Sequence, residues 1–312
     1  MNSEKFILIA AWCGRFGNRL HQYAYAATYA EVNNIDFILP FNWEGTRLFK
    51  NQYHKLSDDE HLRKFLRKGR SAKDRIIDED LKGFFPNIQR INPHEDGYKS
   101  FDCPVFFIDQ AAYTNKVYEC MSRDSLLDMF EFSDEVKETE AYKYWHSRKG
   151  EYDIAHLRRD DISNPNFNRN NEQHYSVVSR DSYLKAFEKY GFDPDEMIWV
   201  SDDIEKKWHS GRQSNKLFGN RYPEGSLHKK GYVFDWLHDF LALYFARTVF
   251  RANSSFSWWA AYLSKTAKVY CPILSRRHIY GVDGMDEIDV EFIASAHTHW
   301  IKDSCHILIK EL

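Results

Sequence analysis

The 312-residue chain has little glycine and little proline, with 14 and 8 residues respectively. Average usage would give about 22 and 16 at this length, so the collagen-like and low-complexity classes are excluded. Aromatic residues are plentiful instead and make up 16% of the sequence. Because these side chains supply the burial area that disordered chains lack, the composition predicts a folded protein whose few glycines merit inspection one at a time.

The chain also lacks a strong charge excess, paired cysteines and a long apolar run. A formal net charge of -3 gives no reason to expect a nucleic acid or an anionic membrane as partner. The five cysteines are widely spaced, with no Cys-x-x-Cys pair, which argues against a disulfide framework and a zinc site and favours the reducing cytoplasm. No apolar run approaches the ~20 residues of a membrane span.

The first half begins with a predicted βαβ unit. Lys5–Trp12 is a continuous apolar run, typical of a strand buried on both faces rather than of a signal peptide. Gly14 and Gly17 follow, a helical pattern starts near Asn18, and a second apolar run covers Asp36–Pro40. Strand, glycine turn, helix and strand in this order predict parallel pairing. Residues 56–140 have no firm pattern.

The second half alternates short strands with helices, which predicts another α/β domain. The predicted elements are strands at Tyr152–Leu157, Met197–Val200, Thr248–Phe250 and Lys268–Cys271, and helices at Asp181–Tyr190, Asp235–Ala246 and Phe256–Ser264. We therefore expect domains at residues 1–148 and 149–288. The final segment, 289–312, is expected to pack back on the first domain.

Four short segments follow predicted strands, where open α/β folds place their binding sites. They are Gly14–Asn18, His156–Asp161, Ser201–Asp203 and Asn253–Trp259. Glycines in the first segment would let backbone N–H groups approach an anion at a helix start, although a purely structural turn has the same pattern. This segment is neither a GxGxxG nor a Walker element.

The other three segments have similar alternatives. Arg158 and Arg159 could clamp a diphosphate or a carboxylate, or could belong to a solvated or structural charge network. The carboxylates after Ser201 could cap a helix, accept hydrogen bonds from a base or ribose, or bind a metal. The hydroxyls of Asn253–Trp259 suit phosphate binding at a helix start, or an N-cap followed by aromatic core packing.

Taken together, the four segments resemble the GDP-fucose-dependent fucosyltransferases, most closely the α-1,2-fucosyltransferase family. The family's GGLGNQxxQYA-like element is matched by GRFGNRLHQYA (14–24), and its HxRRxD by HLRRDD (156–161). SDD (201–203) and NSSFSWWAA (253–261) follow in the family's order. The GRFGN spelling is also similar to that of protein O-fucosyltransferases.

The resemblance implies an α/β fold of GT-B architecture, with two Rossmann-like domains facing a cleft. It implies an inverting, metal-independent enzyme without a cofactor that moves L-fucose from GDP-β-L-fucose to a glycan hydroxyl, with an α-1,2 linkage to galactose expected. One alternative is a related GT-B enzyme with another GDP-sugar or a different acceptor linkage. The other is a nucleotide-sugar-binding protein that has lost turnover.

The resemblance also implies roles for individual residues. Arg158 would bind the β-phosphate and, with Arg159 and Asp161, form the catalytic set. The residues implied in donor binding are Arg15, Gly17, Asn18, His156, Asp202, Asp203, Ser254, Ser255 and Ser257. The proton acceptor stays open between Asp161, His21 and carboxylates of the first half.

The chain departs from the family pattern at several positions. Arg19 stands where the family has Gln, and His21 is also unusual. The common RRGDY is Arg158-Arg159-Asp160-Asp161-Ile162 here, with Asp in place of Gly and Ile in place of Tyr. The added carboxylate puts the acceptor and the linkage in doubt rather than the donor.

Overall fold

The structure is a computed structural model that describes residues 5–12, 14–39, 43–57, 60–62, 81–107, 120–158, 177–201, 236–275, 287–295 and 308–310. The chain divides into two compact units, Met1–Asp134 and Glu135–Leu312. The domain bounds at 148 and 288 stay a prediction.

The first unit is built on a parallel sheet. Its strands are β1 (Phe6–Ile9), β2 (Asp36–Leu39), β3 (Lys55–Leu56), β4 (Gln89–Arg90) and β5 (Val105–Phe107), and its described helices are α1 (Phe16–Asn33), α2 (Gly45–Leu48), α3 (Pro93–Asp96) and α4 (Arg123–Met129). The strand order is β3-β2-β1-β5-β4, with every neighbouring pair parallel. All four residues of the central β1 are buried, as its apolar run predicts.

Helix α1 confirms the predicted βαβ unit by crossing from β1 to the parallel β2. Nearly all its side chains from Phe16 to Ala30 are buried. The buried Tyr25 and Tyr29 hydroxyls donate to the carbonyls of Gly97 (2.5 Å) and Lys99 (2.6 Å), so both aromatic rings stay in the core without an unsatisfied polar group.

The second unit contains a mixed sheet. Its strands are β6 (Asp153–Leu157), β7 (Val177–Val178), β8 (Ile198–Ser201), β9 (Thr248–Phe250), β10 (Lys268–Ser275), β11 (Glu287–Ile288), β12 (Phe292–Ser295) and β13 (Leu308–Lys310). Its described helices are α6 (Glu140–Ser147), α7 (Arg180–Tyr190), α8 (Leu237–Phe245) and α9 (Ser255–Leu263), while α5 (Asp134–Lys137) spans the division between the units.

The main sheet of this unit has the order β12-β10-β9-β6-β8, with β13 beside β10. Only β12 pairs antiparallel among its described strands, and β7 and β11 form a separate parallel pair. Strands β12 and β13, from the final segment of the chain, therefore belong to this sheet. The packing of residues 289–312 on the first domain stays a prediction.

Aromatic rings fill the core of the second unit. Phe250 stacks on Tyr270 with centroids 4.5 Å apart, and Trp258 stacks on Tyr262 at 4.7 Å. Trp258 and Trp259 are fully buried, as the interpretation of the segment Asn253–Trp259 as an N-cap followed by aromatic core packing predicts. Two α/β units built on mainly parallel sheets confirm the predicted fold class. Within the ranges given above, no helix is both long enough and apolar enough to cross a membrane.

A partly buried hydrogen-bond relay joins α1 to the segment before β3. The Tyr23 hydroxyl lies 2.9 Å from Nδ1 of His54 and accepts from the Tyr53 N–H at 3.0 Å. The Tyr23 hydroxyl can therefore donate its hydrogen to Nδ1 of the neutral His54 ring. Burial lowers the pKa of His54 from 6.5 to about 4, because the charged ring loses hydration there.

This relay predicts acid destabilisation of the first unit. The folded pKa of His54 lies below its unfolded value, so its contribution is complete above about pH 6.5 and is lost as the pH falls towards 4. His54→Gln keeps an acceptor that does not titrate. We expect the free energy of unfolding of the His54→Gln variant to fall less steeply with decreasing pH than that of the unmodified protein. The two slopes should differ by at most about 1.4 kcal/mol per pH unit.

Urea unfolding of the first unit between pH 7.5 and 4.5 measures this difference. His61→Gln, at an exposed histidine of the same unit, is the matched control. Parallel pH profiles for the unmodified protein and the His54→Gln variant would contradict the assignment.

Candidate functional site

The carboxyl end of β6 carries the second motif. His156 is buried, with its carbonyl accepting from the Tyr183 hydroxyl at 2.7 Å. The half-buried Arg158 follows directly after the strand. Since β6 lies between the parallel strands β8 and β9, these residues emerge among the carboxyl ends of parallel strands, where open α/β sheets bind ligands.

Arg158 joins the second motif to the fourth. Its Nη1 lies 3.4 Å from the carbonyl oxygen of Asn253, a residue 95 positions later in the sequence. The guanidinium has further donors in a fixed plane. The strand end and the helix start therefore meet at one edge of the sheet, with a cation between them.

The third motif begins at the same edge. Ser201, the last residue of β8, is the register partner of Leu157 on β6, and it is buried. The other members of these two motifs, Arg159, Asp160, Asp161, Asp202 and Asp203, lie outside the described residues. Their predicted roles stay predictions.

The fourth motif forms the start of α9. Ser254 is its N-cap, with an extended backbone and an Oγ that accepts from the Phe256 N–H at 3.3 Å. No acidic residue lies in the first turn, so the positive end of the helix dipole is not offset locally. Ser255 lies beside the cap and is also largely buried.

Ser257 has different surroundings from the two serines before it. Its side chain is fully buried, and its Oγ donates to the carbonyls of Ala252 (3.5 Å) and Ser254 (3.4 Å). These hydrogen bonds stabilise the turn that leads into α9. Its role in donor binding stays a prediction.

A buried cation supports this loop from below. Arg251 is 1% exposed, its N–H donates to the Tyr270 carbonyl at 3.0 Å, and its Nε lies 2.8 Å from Sγ of Cys271. A guanidinium keeps its charge when buried. Its charge therefore adds to the positive field of the segment that contains Asn253 and Ser254. Sequence reasoning missed Arg251, although an arginine directly after an apolar strand was a usable signal.

Phe256 is the second residue that the sequence did not single out. Between residues 251 and 263 every side chain is buried except that of Phe256, which is half-exposed. Its ring lies 5.8 Å from His156, 5.3 Å from Phe240 and 6.2 Å from Trp236, measured between centroids. The site edge of this unit thus has an aromatic wall next to the cationic residues.

The first motif forms a turn in the other unit. Gly14 has φ +69°, and a Cβ there would lie 2.2 Å from Nδ2 of Asn18, so both the backbone and the packing require glycine. Arg15 is the N-cap of α1 and makes no side-chain cap, and the first turn has no acidic residue. The structure thus brings Arg15, Gly17 and Asn18 together at this helix start.

Two sequence-based expectations concern groups that handle protons or metals. His21, one of the open candidates for the base, is fully buried in α1. Among the residues with described positions, no group of three or more His, Cys, Asp or Glu side chains is arranged to hold a metal ion. Metal independence stays a proposal.

Comparisons with known proteins show which solved structures have a similar fold. Neither a protein-family model nor a curated protein sequence matches the chain. Among solved structures, a mutant of Arabidopsis thaliana FUT1 in complex with GDP aligns over 92% of this chain and 76% of that chain, with 12% identity and a TM-score of 0.50. This likeness shows a shared fold and confirms the predicted GT-B class at that level.

Two further solved structures are similar. Fucosyltransferase NodZ from Bradyrhizobium aligns over 94% of this chain and 99% of its own, with 12% identity and a TM-score of 0.48. POFUT1 in complex with GDP aligns over 86% and 98%, with 11% identity and a TM-score of 0.45.

The two possible functions of Ser254 can be separated by substitution. Ser254→Ala removes the cap of α9 and should lower the free energy of unfolding by about 1 kcal/mol. Ser254→Asp keeps a capping acceptor and should restore most of that stability, but its charge should repel a phosphate at the helix start. Chemical denaturation and GDP titration measure the two effects.

Thr139→Ala provides the control, because Thr139 caps α6, which carries none of the four motifs. It should lose stability without losing affinity for GDP. Unchanged GDP affinity in a folded Ser254→Asp variant would exclude phosphate binding at this helix start.

Proposed function

We propose that the chain is a fucosyltransferase that uses GDP-fucose as its donor and a glycan hydroxyl as its acceptor. The observation that carries the proposal is the approach of Arg158 to the Asn253 carbonyl, which places a guanidinium beside a helix start that has no acidic residue in its first turn. The fold shared with FUT1, whose structure holds GDP, supports a nucleotide donor. The four motifs support fucose as the sugar.

The chemistry of transfer explains why such an edge is useful. The bond between C1 of fucose and the β-phosphate oxygen breaks while the acceptor oxygen attacks C1 from the opposite face. Negative charge then grows on the β-phosphate as the sugar becomes oxocarbenium-like. Arg158 and the N–H groups at the start of α9 would stabilise this charge without reorganising.

The neighbouring residues have supporting roles in this proposal. Ser254 and Ser255 would donate hydroxyl hydrogen bonds to the diphosphate, and His156 would shape the floor of its pocket. Arg251, buried beneath the loop, would strengthen the positive potential without touching the donor. Arg15, Gly17 and Asn18 of the first unit would bind the phosphate or the fucose.

The finer features of the reaction rest on the motif resemblance. Attack opposite to the leaving GDP gives inversion, from a β-linked donor to an α-linked product. An α-1,2 linkage to galactose follows from the family that the motifs match best. Fixed cations at the diphosphate would make a metal ion unnecessary, and the group that accepts the hydroxyl proton stays unassigned.

Nucleotide release from a panel of donors tests the function. We expect the protein to release GDP from GDP-fucose in the presence of a β-galactoside-terminated glycan panel, and to leave GDP-mannose and UDP-galactose unchanged. Chelator should not alter the rate. Absence of both binding and turnover with GDP-fucose overturns the proposal, and turnover that stops with chelator overturns its metal-free form.

Substitution of Arg158 tests the proposed clamp. Arg158→Ala should lower kcat/KM by about 100-fold or more, because a fixed donor to the developing phosphate charge is lost. Arg158→Lys should retain part of the rate, since it keeps the charge but not the paired donors. Steady-state kinetics on folded variants provides the measurement.

Arg247→Ala is the matched control. This exposed arginine pairs with Asp153 at the opposite end of β6, so its loss should leave transfer nearly unchanged. Near-normal transfer by a folded Arg158→Ala variant would overturn the proposed role of Arg158 as a clamp on the diphosphate.

A further inference from the structure

Trp12 is unusual among the tryptophans of the protein because it is half-exposed. Of the seven whose positions the structure describes, five are buried: Trp43, Trp145, Trp199, Trp258 and Trp259. Trp12 and Trp236 are the exceptions. Trp12 lies just beyond the carboxyl end of β1 and two residues before Gly14, at the edge of the sheet where α/β folds bind ligands.

The Trp12 ring is held in place by a stack of aromatic side chains. It packs on Trp43 with centroids 5.4 Å apart, and Trp43 stacks on the buried Tyr23 at 4.4 Å. Gly45 makes room for this arrangement, since a Cβ there would lie 2.1 Å from the Trp43 ring. Trp12 is therefore the outermost member of a supported stack, and little entropy would be lost on binding a ligand.

A polar pair lies next to this stack. Arg19 forms an ion pair with Glu44, the residue after Trp43, and its Nε donates to the Gly14 carbonyl at 3.4 Å. The side chains of Arg19 and Glu44 are 29% and 16% exposed. The pair is thus partly desolvated yet reachable, and its contacts fix the orientation of both groups.

We propose that Trp12, Arg19 and Glu44 form a subsite for a sugar ring in the transfer reaction. A pyranose has an apolar face of C–H groups, which suits the indole, and a rim of hydroxyls, which suits a guanidinium donor and a carboxylate acceptor. The ring can belong to the acceptor glycan or to the fucosyl group of the donor. The inference rests on the proposed function.

The test compares Trp12→Ala with Trp12→Phe in the full-length protein. We measure the KM of the acceptor found in the glycan panel, and the Kd values of GDP-fucose and GDP. An acceptor ring predicts a KM about tenfold higher in Trp12→Ala with both Kd values unchanged. A fucosyl ring predicts a similar rise in the Kd of GDP-fucose alone. Trp12→Phe should recover part of either loss.

Glu44→Gln examines the polar half of the subsite. It keeps the shape of the side chain and removes its charge, and it should raise the same constant that Trp12→Ala raises. Asp36→Asn is the matched control, because Asp36 pairs with Lys55 at the amino end of β2. Tyr53→Ala removes an exposed aromatic ring at a different position of the same unit. Both controls should leave all three constants unchanged.

The outcomes separate this inference from the function on which it rests. If the unmodified protein neither binds nor turns over GDP-fucose, the proposed function fails. If the unmodified protein is active and a folded Trp12→Ala variant has the same KM and Kd values, the subsite alone is overturned. A KM that rises equally in Trp12→Ala and Tyr53→Ala would also overturn it, since a general loss of packing would then explain the effect.

Discussion

Parallel pairing of β6 with β8 and β9 brings the carboxyl ends of three strands to one edge of the second sheet, and the candidate donor site depends on this arrangement. The register sets Leu157 beside Ser201 and Ala155 beside Phe250. Segments that are far apart in sequence therefore leave the sheet as neighbours, and Arg158 reaches the loop before α9. Backbone hydrogen bonds between the strands thus fix the positions from which these segments leave the sheet.

Positive potential at this edge comes from groups that need not move. The N–H groups at the start of α9 and the buried Arg251 lie within a few residues of Asn253 in the sequence, and the half-buried Arg158 reaches the Asn253 carbonyl from β6. The start of α1, in the other unit, likewise has no acidic residue in its first turn. A chain with net charge -3 thus concentrates fixed positive charge locally, which favours anions where bulk charge would not.

The sequence predicted those features that depend on local patterns. A continuous apolar run identified β1, because burial on both faces of a sheet leaves a clear signal. The order of strand, glycine turn, helix and strand identified the βαβ unit. The partners of Arg158 and the half-exposure of Phe256 depend on which strands are neighbours, and no local pattern contains that information. The Arg19–Glu44 pair was missed for the same reason, since 25 residues separate its members.

Aromatic residues in this protein form the buried cores and also provide a partly exposed ring on the surface. Most of those whose positions the structure describes are buried in cores, where Phe250 and Tyr270 or Trp258 and Tyr262 stack face to face. Trp12 extends such a stack outward beyond Trp43, and its ring is only partly buried. Such a ring is positioned by the core behind it rather than by its own loop. Scarce glycine has a related use, because Gly14 and Gly45 stand where a side chain would displace Asn18 or Trp43. A rigid scaffold with a few exposed aromatic and charged groups is what sugar recognition requires, since a pyranose offers only weak contacts that must act together.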